Sequence, residues 1–149
     1  MESEALDLAA GLCLRFEGLY LKPYLCPAGI PTIGVGSTRY EDGVAVSMFD
    51  APITKDRAIE LLMLTLKRDY LPAVRTLCKV ENAKQLAALT DFAYNLGVGA
   101  LRSSNLRKRV NAGDYEAVPA EFSKWVKGGG KVLRGLVIRR QAEADLFQG

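Results

Sequence analysis

The chain contains no histidine, and this absence excludes several kinds of chemistry. Serine or cysteine catalysis with a histidine base is excluded, because no imidazole is present to take the nucleophile's proton. The three cysteines, Cys13, Cys26 and Cys78, are odd in number, widely spaced and without a Cys-x-x-Cys pair. They therefore predict neither a disulfide framework nor a Cys/His zinc site. A reducing compartment during synthesis is expected, and no metal or cofactor is implied.

Long apolar runs are also missing from the chain. No stretch approaches the roughly 18 apolar residues of a membrane span, so we expect no stable membrane insertion. The acidic start, from Met1 to Asp7, differs from the basic start of a signal peptide, and we expect no export by a leader in this sequence. A length of 149 residues with 49% hydrophobic residues predicts one domain with a sizeable core.

The net charge is only +3, but it is unevenly distributed. The segment from Arg102 to Arg140 has ten basic and three acidic residues, a net charge of +7. This basic C-terminal half indicates a polyanionic partner, namely nucleic acid, a membrane surface or bacterial wall, although a solvated helical surface explains it equally well. Phenylalanine and tyrosine are not interleaved with the basic residues, and no nucleic-acid recognition motif is present. A non-catalytic basic binding module is therefore the rival hypothesis rather than the main one.

Hydrophobic periodicity predicts a mostly helical chain of α+β class with a small antiparallel sheet. We predict helices at 4–17 (capped by Ser3), from Ala58 to about Leu71 (capped by Thr54 and split at Pro72 from a piece through Cys78), between the cap Asn82 and the stop Gly97, and at 105–111, 115–127 and 135–147. The helix between Asn82 and Gly97 is the most apolar and is expected at the centre of the core. Proline and glycine exclude a helix at 19–47, where 32–35 and 44–46 are predicted as strands, and 128–130 is predicted as a flexible break. The β lobe would cover about 19–53, and the helical lobe 1–18 and 54–149.

Three polar side chains in one short stretch are candidate catalytic groups. Glu17 ends the first predicted helix, where the partial negative charge of the helix terminus favours a carboxyl that keeps its proton, as general acid catalysis requires. Cys26 lies in a Pro/Gly-rich turn and is either a nucleophile or base, or a small half-buried hydrophobe. Thr32 begins a strand and carries no signal alone. An exposed terminal glutamate is the structural alternative for Glu17.

Five motifs together resemble those of the bacteriophage-type lysozymes, the phage endolysins of glycoside hydrolase family 24. They are Glu17-Gly18, Tyr24, Gly29-x-Pro31-Thr32-Ile33-Gly34-x-Gly36, Tyr94-Asn95-x-Gly97 and Gly135-Leu136-x-x-Arg139-Arg140-x-x-Glu143. The resemblance spans nearly the whole chain. It implies a lysozyme-like fold with a cleft between a sheet lobe and a helical lobe, joined by the long helix that begins near Ala58. It also implies cleavage of the β-1,4 bond between N-acetylmuramic acid and N-acetylglucosamine in peptidoglycan.

The resemblance assigns roles residue by residue, with one departure from the family pattern. The family's catalytic glutamate maps onto Glu17 and its threonine onto Thr32, whereas its usual aspartate maps onto Cys26. A subset of phage endolysins is similar to this chain in carrying Cys-Pro-Ala-Gly there, and some of these have an N-terminal membrane-release segment. The remaining residues assigned by the resemblance are Tyr24, Gly36, Tyr94 and Asn95, expected to bind substrate, and Arg139 and Arg140, expected to be structural or wall-attracting.

The resemblance also implies how the protein is used. Its partner would be the glycan strands of peptidoglycan, with the basic C-terminal half attracted to the anionic cell envelope. We expect a monomer that binds no nucleic acid and waits in the host cytoplasm until a holin releases it to the periplasm. A lytic transglycosylase acting on the same bond is the alternative enzyme.

Overall fold

The computed structural model describes every residue, Met1–Gly149, and confirms the α+β class. The helices are α1 (Glu2–Glu17), α2 (Lys55–Thr65), α3 (Leu71–Leu77), α4 (Ala83–Leu96), α5 (Val98–Ser103), α6 (Asn105–Asn111), α7 (Val118–Ser123) and α8 (Arg134–Gln148). The strands are β1 (Tyr20–Leu25), β2 (Pro31–Gly34), β3 (Lys127–Gly128) and β4 (Lys131–Val132). None of the helices combines the length and apolar character that crossing a bilayer requires.

Helix α4 is the centre of the core, as its apolar sequence predicts. The Asn82 side chain caps its start by accepting a hydrogen bond from the Gln85 backbone N–H at 2.9 Å, and Gly97 ends it. Helices α1 and α8 pack against it. The resulting cluster of 23 buried residues, which includes Phe92 and Phe122, is the main hydrophobic core.

The predicted long helix runs from Lys55 to Leu77 and links the sheet to the helical core. The Thr54 hydroxyl caps it, as predicted, by accepting a hydrogen bond from the Arg57 backbone N–H at 3.1 Å. The predicted break at Pro72 takes the form of a π-helical turn, Leu66–Tyr70, immediately before α3. Proline has no N–H to donate to the preceding turn, and this missing hydrogen bond accounts for the local widening of the helix there.

The sheet lobe contains one strand that the sequence analysis missed. Strand β1 pairs with β2 in antiparallel fashion, with Tyr24 opposite Thr32 and Leu25 opposite Pro31. Pro23 lies within β1, which is tolerated because β1 is an edge strand. The strand predicted at 44–46 is wrong, because only an isolated bridge between Arg39 and Ala45 forms there.

The C-terminal part also differs from the prediction. The helix predicted at 115–127 is a short 3₁₀ turn followed by α7, which ends at Ser123. The predicted flexible break at 128–130 is instead the turn of the β3–β4 hairpin, in which Gly129 and Gly130 have φ of +58° and +79°. Helix α5 was not predicted, and Ser3 lies inside α1, whose N-cap is Met1.

The single-domain organisation remains our proposal. A small satellite core joins Ile33 and Val46 of the sheet region to Leu61 of α2. The main core lies mostly in the helices. We propose these as the two lobes of one domain.

Candidate active site

A cavity of about 650 Å³ lies where the sheet meets α1, α4 and α8. All seven residues predicted for the site line it, namely Glu17, Tyr24, Cys26, Thr32, Gly36, Tyr94 and Asn95. Eight lining residues were not predicted as site residues: Phe16, Tyr20, Pro27, Thr38, Leu133, Gly135, Leu136 and Arg139. The fold thus brings the candidate groups to one groove.

Glu17 is the last residue of α1, and its side chain is 22% exposed. Its Oε2 accepts a hydrogen bond from Arg139 Nη1 at 2.6 Å. The expectation that this carboxyl keeps its proton stays a prediction.

Arg139 is fixed from its other side by Asp91 of α4. Arg139 Nε and Nη2 donate to the two Asp91 carboxylate oxygens at 2.9 and 2.8 Å, which is the two-pronged geometry that suits a guanidinium and a carboxylate. Burial opposes ionisation of Asp91, but hydrogen bonds from Glu143 and Arg139 outweigh it and lower the pKa of Asp91. A charged residue on an otherwise apolar helix face is the signal that could have identified Asp91 from sequence.

Arg140 makes a second buried pair beside the first. Its Nε and Nη2 donate to Glu143 at 2.6 and 3.0 Å, and Nη2 also donates to Asn95 Oδ1 at 2.8 Å. Arg139 and Arg140 are only 4% and 1% exposed, so of the two expected roles their burial fits the structural one and not attraction to the wall. Their burial follows from the carboxylates on α1, α4 and α8 that neutralise them.

Cys26 begins the turn that joins β1 to β2. The Gly29 N–H donates to the Cys26 carbonyl at 2.8 Å, and the Cys26 N–H donates to the Ile30 carbonyl at 3.1 Å, which closes the turn tightly. Backbone N–H groups of Ile30, Ala28 and Gly29, together with the Thr32 hydroxyl, hold the pKa of the Cys26 thiol below its ordinary value. The turn therefore favours a thiolate facing the cavity.

Thr32 lies opposite Tyr24 in the hairpin and is buried. Its hydroxyl donates to the Ile30 carbonyl at 2.8 Å and also lies within hydrogen-bonding reach of the Cys26 sulfur. A hydroxyl has a single proton for these two acceptors, so Thr32 can support either the turn or the thiolate.

The other two cysteines lie in the core. Cys13 is fully buried and its Sγ–H points to Asp91 Oδ1 at 3.4 Å. Burial raises the pKa of Cys78 to about 11 and raises the pKa of Cys13 even further. Neither thiol is therefore reactive near neutral pH.

Tyrosines border the cavity on both lobes. The Tyr94 hydroxyl donates to the Val35 carbonyl at 2.6 Å and thereby ties α4 to the chain that leaves β2. Tyr24 packs on Tyr20, with ring centroids 4.3 Å apart. Burial raises the pKa of both Tyr94 and Tyr24, so both phenols are neutral hydrogen-bonding groups.

The chain is similar to known proteins in both sequence and fold. Residues 14–143 match the Phage lysozyme family. The chain is 37% identical over 137 residues to the endolysin of Bacillus phage B103, covering 91% of this chain and 51% of that protein. It is also 37% identical over 134 residues to the endolysin of Salmonella phage P22, covering 89% and 90% of the two chains.

The fold is similar to that of the endolysin from Escherichia coli O157:H7 phage FAHEc1. The TM-score is 0.81 at 34% identity, with 97% of this chain and 90% of the other covered. The chain spans about half the length of the Bacillus phage endolysins and nearly the full length of the P22 protein.

Proposed function

Because the chain belongs to the phage lysozyme family, we propose that it is an endolysin that hydrolyses the β-1,4 bond between N-acetylmuramic acid and N-acetylglucosamine in peptidoglycan. The observation that carries this proposal is the convergence of Glu17, Cys26 and Thr32 on one groove between sheet and helices. The carboxyl comes from the end of α1 and the thiol from the β1–β2 turn, so the two groups reach a bound strand from different elements.

Glu17 is the proton donor in the proposed reaction. Its carboxyl protonates the glycosidic oxygen, and the bond between that oxygen and the sugar C1 breaks. Arg139 holds the carboxyl in place through the 2.6 Å contact. A glutamate anchored by a buried guanidinium keeps one orientation, which a general acid needs in order to reach the leaving oxygen.

Cys26 activates the attacking water molecule in our proposal. The thiolate, stabilised by the backbone N–H groups of its turn, takes a proton from a water molecule that attacks C1, and the Thr32 hydroxyl helps to hold that water. The reaction leaves a free reducing end, a thiol at Cys26 and a carboxylate at Glu17, and solvent returns the proton from sulfur to oxygen. Water attack from the opposite face inverts the configuration at C1.

The four remaining predicted site residues are proposed to bind the glycan. Tyr24 and Tyr94 present ring surface to the groove, and Asn95 presents an amide whose oxygen Arg140 holds at 2.8 Å. Gly36 adds no side chain and leaves room beside Glu17. Aromatic faces and fixed amides are typical of sites that bind sugar rings and acetamido groups.

The basic C-terminal half is proposed to contact the anionic envelope, with a smaller set of residues than the sequence indicates. Arg139 and Arg140 are buried, and Arg109 and Lys124 are paired with acidic residues. Lys127, Lys131 and Arg134 are exposed, form no ion pair and flank the groove residues Leu133 and Gly135. We propose that the protein acts as a monomer without nucleic acid and starts in the host cytoplasm, from which a holin releases it.

Purified murein is the substrate for the decisive test. Wild-type protein should release muropeptides with reducing muramic acid, detected by mass spectrometry, and Glu17→Gln should release none while keeping its circular dichroism spectrum. Cys26→Ser should lose most of the activity and Cys26→Asp should keep part of it, with Cys78→Ser as the control for loss of an unrelated thiol. Anhydro ends would instead identify a lytic transglycosylase, and a fully active Glu17→Gln would remove the acid assignment.

The stereochemical route is tested on the same material. Proton NMR of the first-formed anomer distinguishes inversion from retention. A retained configuration, together with a mass increase on Cys26, would replace the water mechanism with direct attack by sulfur.

A further inference from the structure

The proposed acid belongs to a group of five charged residues that the reaction scheme uses only in part. Three carboxyl groups, Glu17, Asp91 and Glu143, surround two guanidinium groups, Arg139 and Arg140. Except for Glu17, each of these side chains is at most 5% exposed. The chain thus places a buried charge network directly behind its candidate acid.

The two buried carboxyl groups of this network have pKa values shifted in opposite directions. Burial, a hydrogen bond to Asp91 and the Asp91 charge raise the pKa of Glu143 well above its ordinary value. Despite its burial, Asp91 has a lowered pKa because Glu143 and Arg139 donate hydrogen bonds to it. Asp91 is therefore the carboxyl of this pair that ionises more readily.

Arg139 divides its contacts unequally between these two carboxylates. Two of its nitrogens bind Asp91, at 2.9 and 2.8 Å, and one nitrogen binds Glu17, at 2.6 Å. Asp91 is fully buried, whereas the Glu17 side chain is 22% exposed. A buried carboxylate depends on its counter-ion more than a partly solvated one, because water cannot replace the lost contact.

From this geometry we propose that Asp91 is a positioning residue for the catalysis proposed above, an inference that rests on that function. Asp91 fixes the plane of the Arg139 guanidinium so that a single N–H meets Glu17. It also neutralises part of the arginine's charge, so that Glu17 takes up a proton more readily than it would beside an unshared guanidinium.

Two helices besides α4 contribute the ionisable groups around Asp91. Helix α1 contributes Cys13, whose thiol points to Asp91, and Glu17 itself, and helix α8 contributes Arg139 and Glu143. The tyrosines beside Glu17 have raised pKa values and are neutral throughout the range of the experiment: Tyr24, Tyr70 and Tyr94. The charged groups that face the acid are therefore Asp91 and Arg139 of this network and the Cys26 thiolate of the same groove.

Asp91→Asn tests the proposal through the titration of Glu17, followed by ¹³C NMR of its side-chain carboxyl and assigned with Glu17→Gln. Removing the negative charge leaves Glu17 beside an unshared cation, so its titration midpoint should fall by about 0.5–1 pH unit. In Asp91→Asn the amide NH₂ also replaces an oxygen that accepts from Arg139 and opposes its N–H, so Arg139 is displaced. We therefore expect kcat on murein to fall by roughly tenfold, with a change in KM of less than about twofold.

Glu143→Gln is the matched control. It is buried to the same depth and lies in the same network, and its amide NH₂ opposes an Arg140 N–H in the way that the asparagine amide opposes an Arg139 N–H. Glu143 makes no hydrogen bond to Arg139 or Glu17, so the Glu17 midpoint should stay unchanged. A folded Asp91→Asn protein with the wild-type midpoint and kcat, or an equal shift in Glu143→Gln, would overturn the proposal.

Arg139→Lys keeps the charge and covers the case in which Asp91→Asn does not fold. A single ammonium cannot bridge both carboxylates, and the buried Asp91 should retain it. Glu17 would then lose its cation, its midpoint would rise, and kcat would fall. An unchanged midpoint would mean that the cation stays with Glu17 and that Asp91 is not the dominant partner.

These measurements separate the inference from the proposed function. The NMR midpoint needs no substrate, so charge sharing can be observed even if the wild-type protein releases no muropeptides. If the wild-type protein does not cleave murein, the proposed function is refuted. If the wild-type protein is active but the Glu17 midpoint does not move in Asp91→Asn, only the role of Asp91 is refuted.

Discussion

Gly36 lies directly against the carboxyl group of Glu17. A Cβ atom at position 36 would stand 2.9 Å from Glu17 Oε1 and 3.2 Å from its Cγ and Cδ. Gly36 also has a φ of +72°, which side-chain-bearing residues rarely adopt. The glycine of this loop is therefore required both by the backbone conformation and by the position of the acid.

Gly36→Ala should displace Glu17 from Arg139 and reduce kcat on murein by roughly 10–100-fold. The matched control is Gly113→Ala, which has nearly the same φ, +71°, but nothing within 4 Å of the new Cβ. Both variants should lose about 1–2 kcal/mol of unfolding free energy from backbone strain. Comparable activity in the two variants, measured beside their denaturation curves, would argue against the contact.

The reactivity of Cys26 should have a pH dependence set by its turn. Hydrogen bonds from the backbone at Ile30, Ala28 and Gly29 lower the pKa of the thiol, so the thiolate forms at lower pH than in free cysteine. The rate of alkylation by iodoacetamide should therefore reach half its maximum below about pH 8.5, the ordinary value for cysteine. Peptide mass mapping after native labelling measures this rate at each pH.

Two controls define the labelling result. Cys26→Ser should abolish labelling of the native protein, because the thiols of Cys13 and Cys78 are buried and have raised pKa values. Labelled wild-type protein should be inactive on murein. A half-maximum at or above that of free cysteine would contradict the effect of the turn, and full activity after complete alkylation of Cys26 would exclude a chemical role for the sulfur.

The contact between Tyr94 and Val35 should contribute to the stability of the interlobe groove. Tyr94→Phe removes the donor of the 2.6 Å hydrogen bond and leaves the Val35 carbonyl without that partner. We expect a loss of about 1–2 kcal/mol in unfolding free energy. Tyr70→Phe is the control, since its ring packs on Tyr94 but its hydroxyl makes no hydrogen bond within the protein. Equal losses in urea denaturation would show that ring packing, and not the hydrogen bond, dominates.

The cations of the β3–β4 hairpin should matter for intact murein at low salt. Replacing Lys127, Lys131 and Arg134 together by glutamine should lower kcat/KM by roughly 3–10-fold at low ionic strength, and the deficit should shrink as salt screens the charges. The control replaces three exposed lysines that do not line the groove, Lys55, Lys67 and Lys84, and removes the same net charge. If both triple variants lose activity equally, total charge rather than this hairpin attracts the substrate.

Local sequence determined the short-range features of this protein well. Glu17, Cys26 and Thr32 lie within one hairpin's length of each other, so the end of α1 and a Pro/Gly-rich turn were sufficient to predict that they come together. The caps at Thr54 and Asn82 and the central position of α4 follow from hydrogen-bonding side chains and an apolar face. Strand β1 and the β3–β4 hairpin were missed because proline and glycine mask the strand pattern.

Long-range packing supplied what surrounds the acid. Arg139 is 122 residues from Glu17 and 48 from Asp91, and no local pattern indicates that two of its nitrogens bind one carboxylate and the third binds another. Arg139 and Arg140 resemble surface cations in sequence, yet α8 packs on α4 and buries both against carboxylates. Charge in a sequence is local, but the energy of a charge depends on the water and counter-ions around it, and these exist only once the helices have packed.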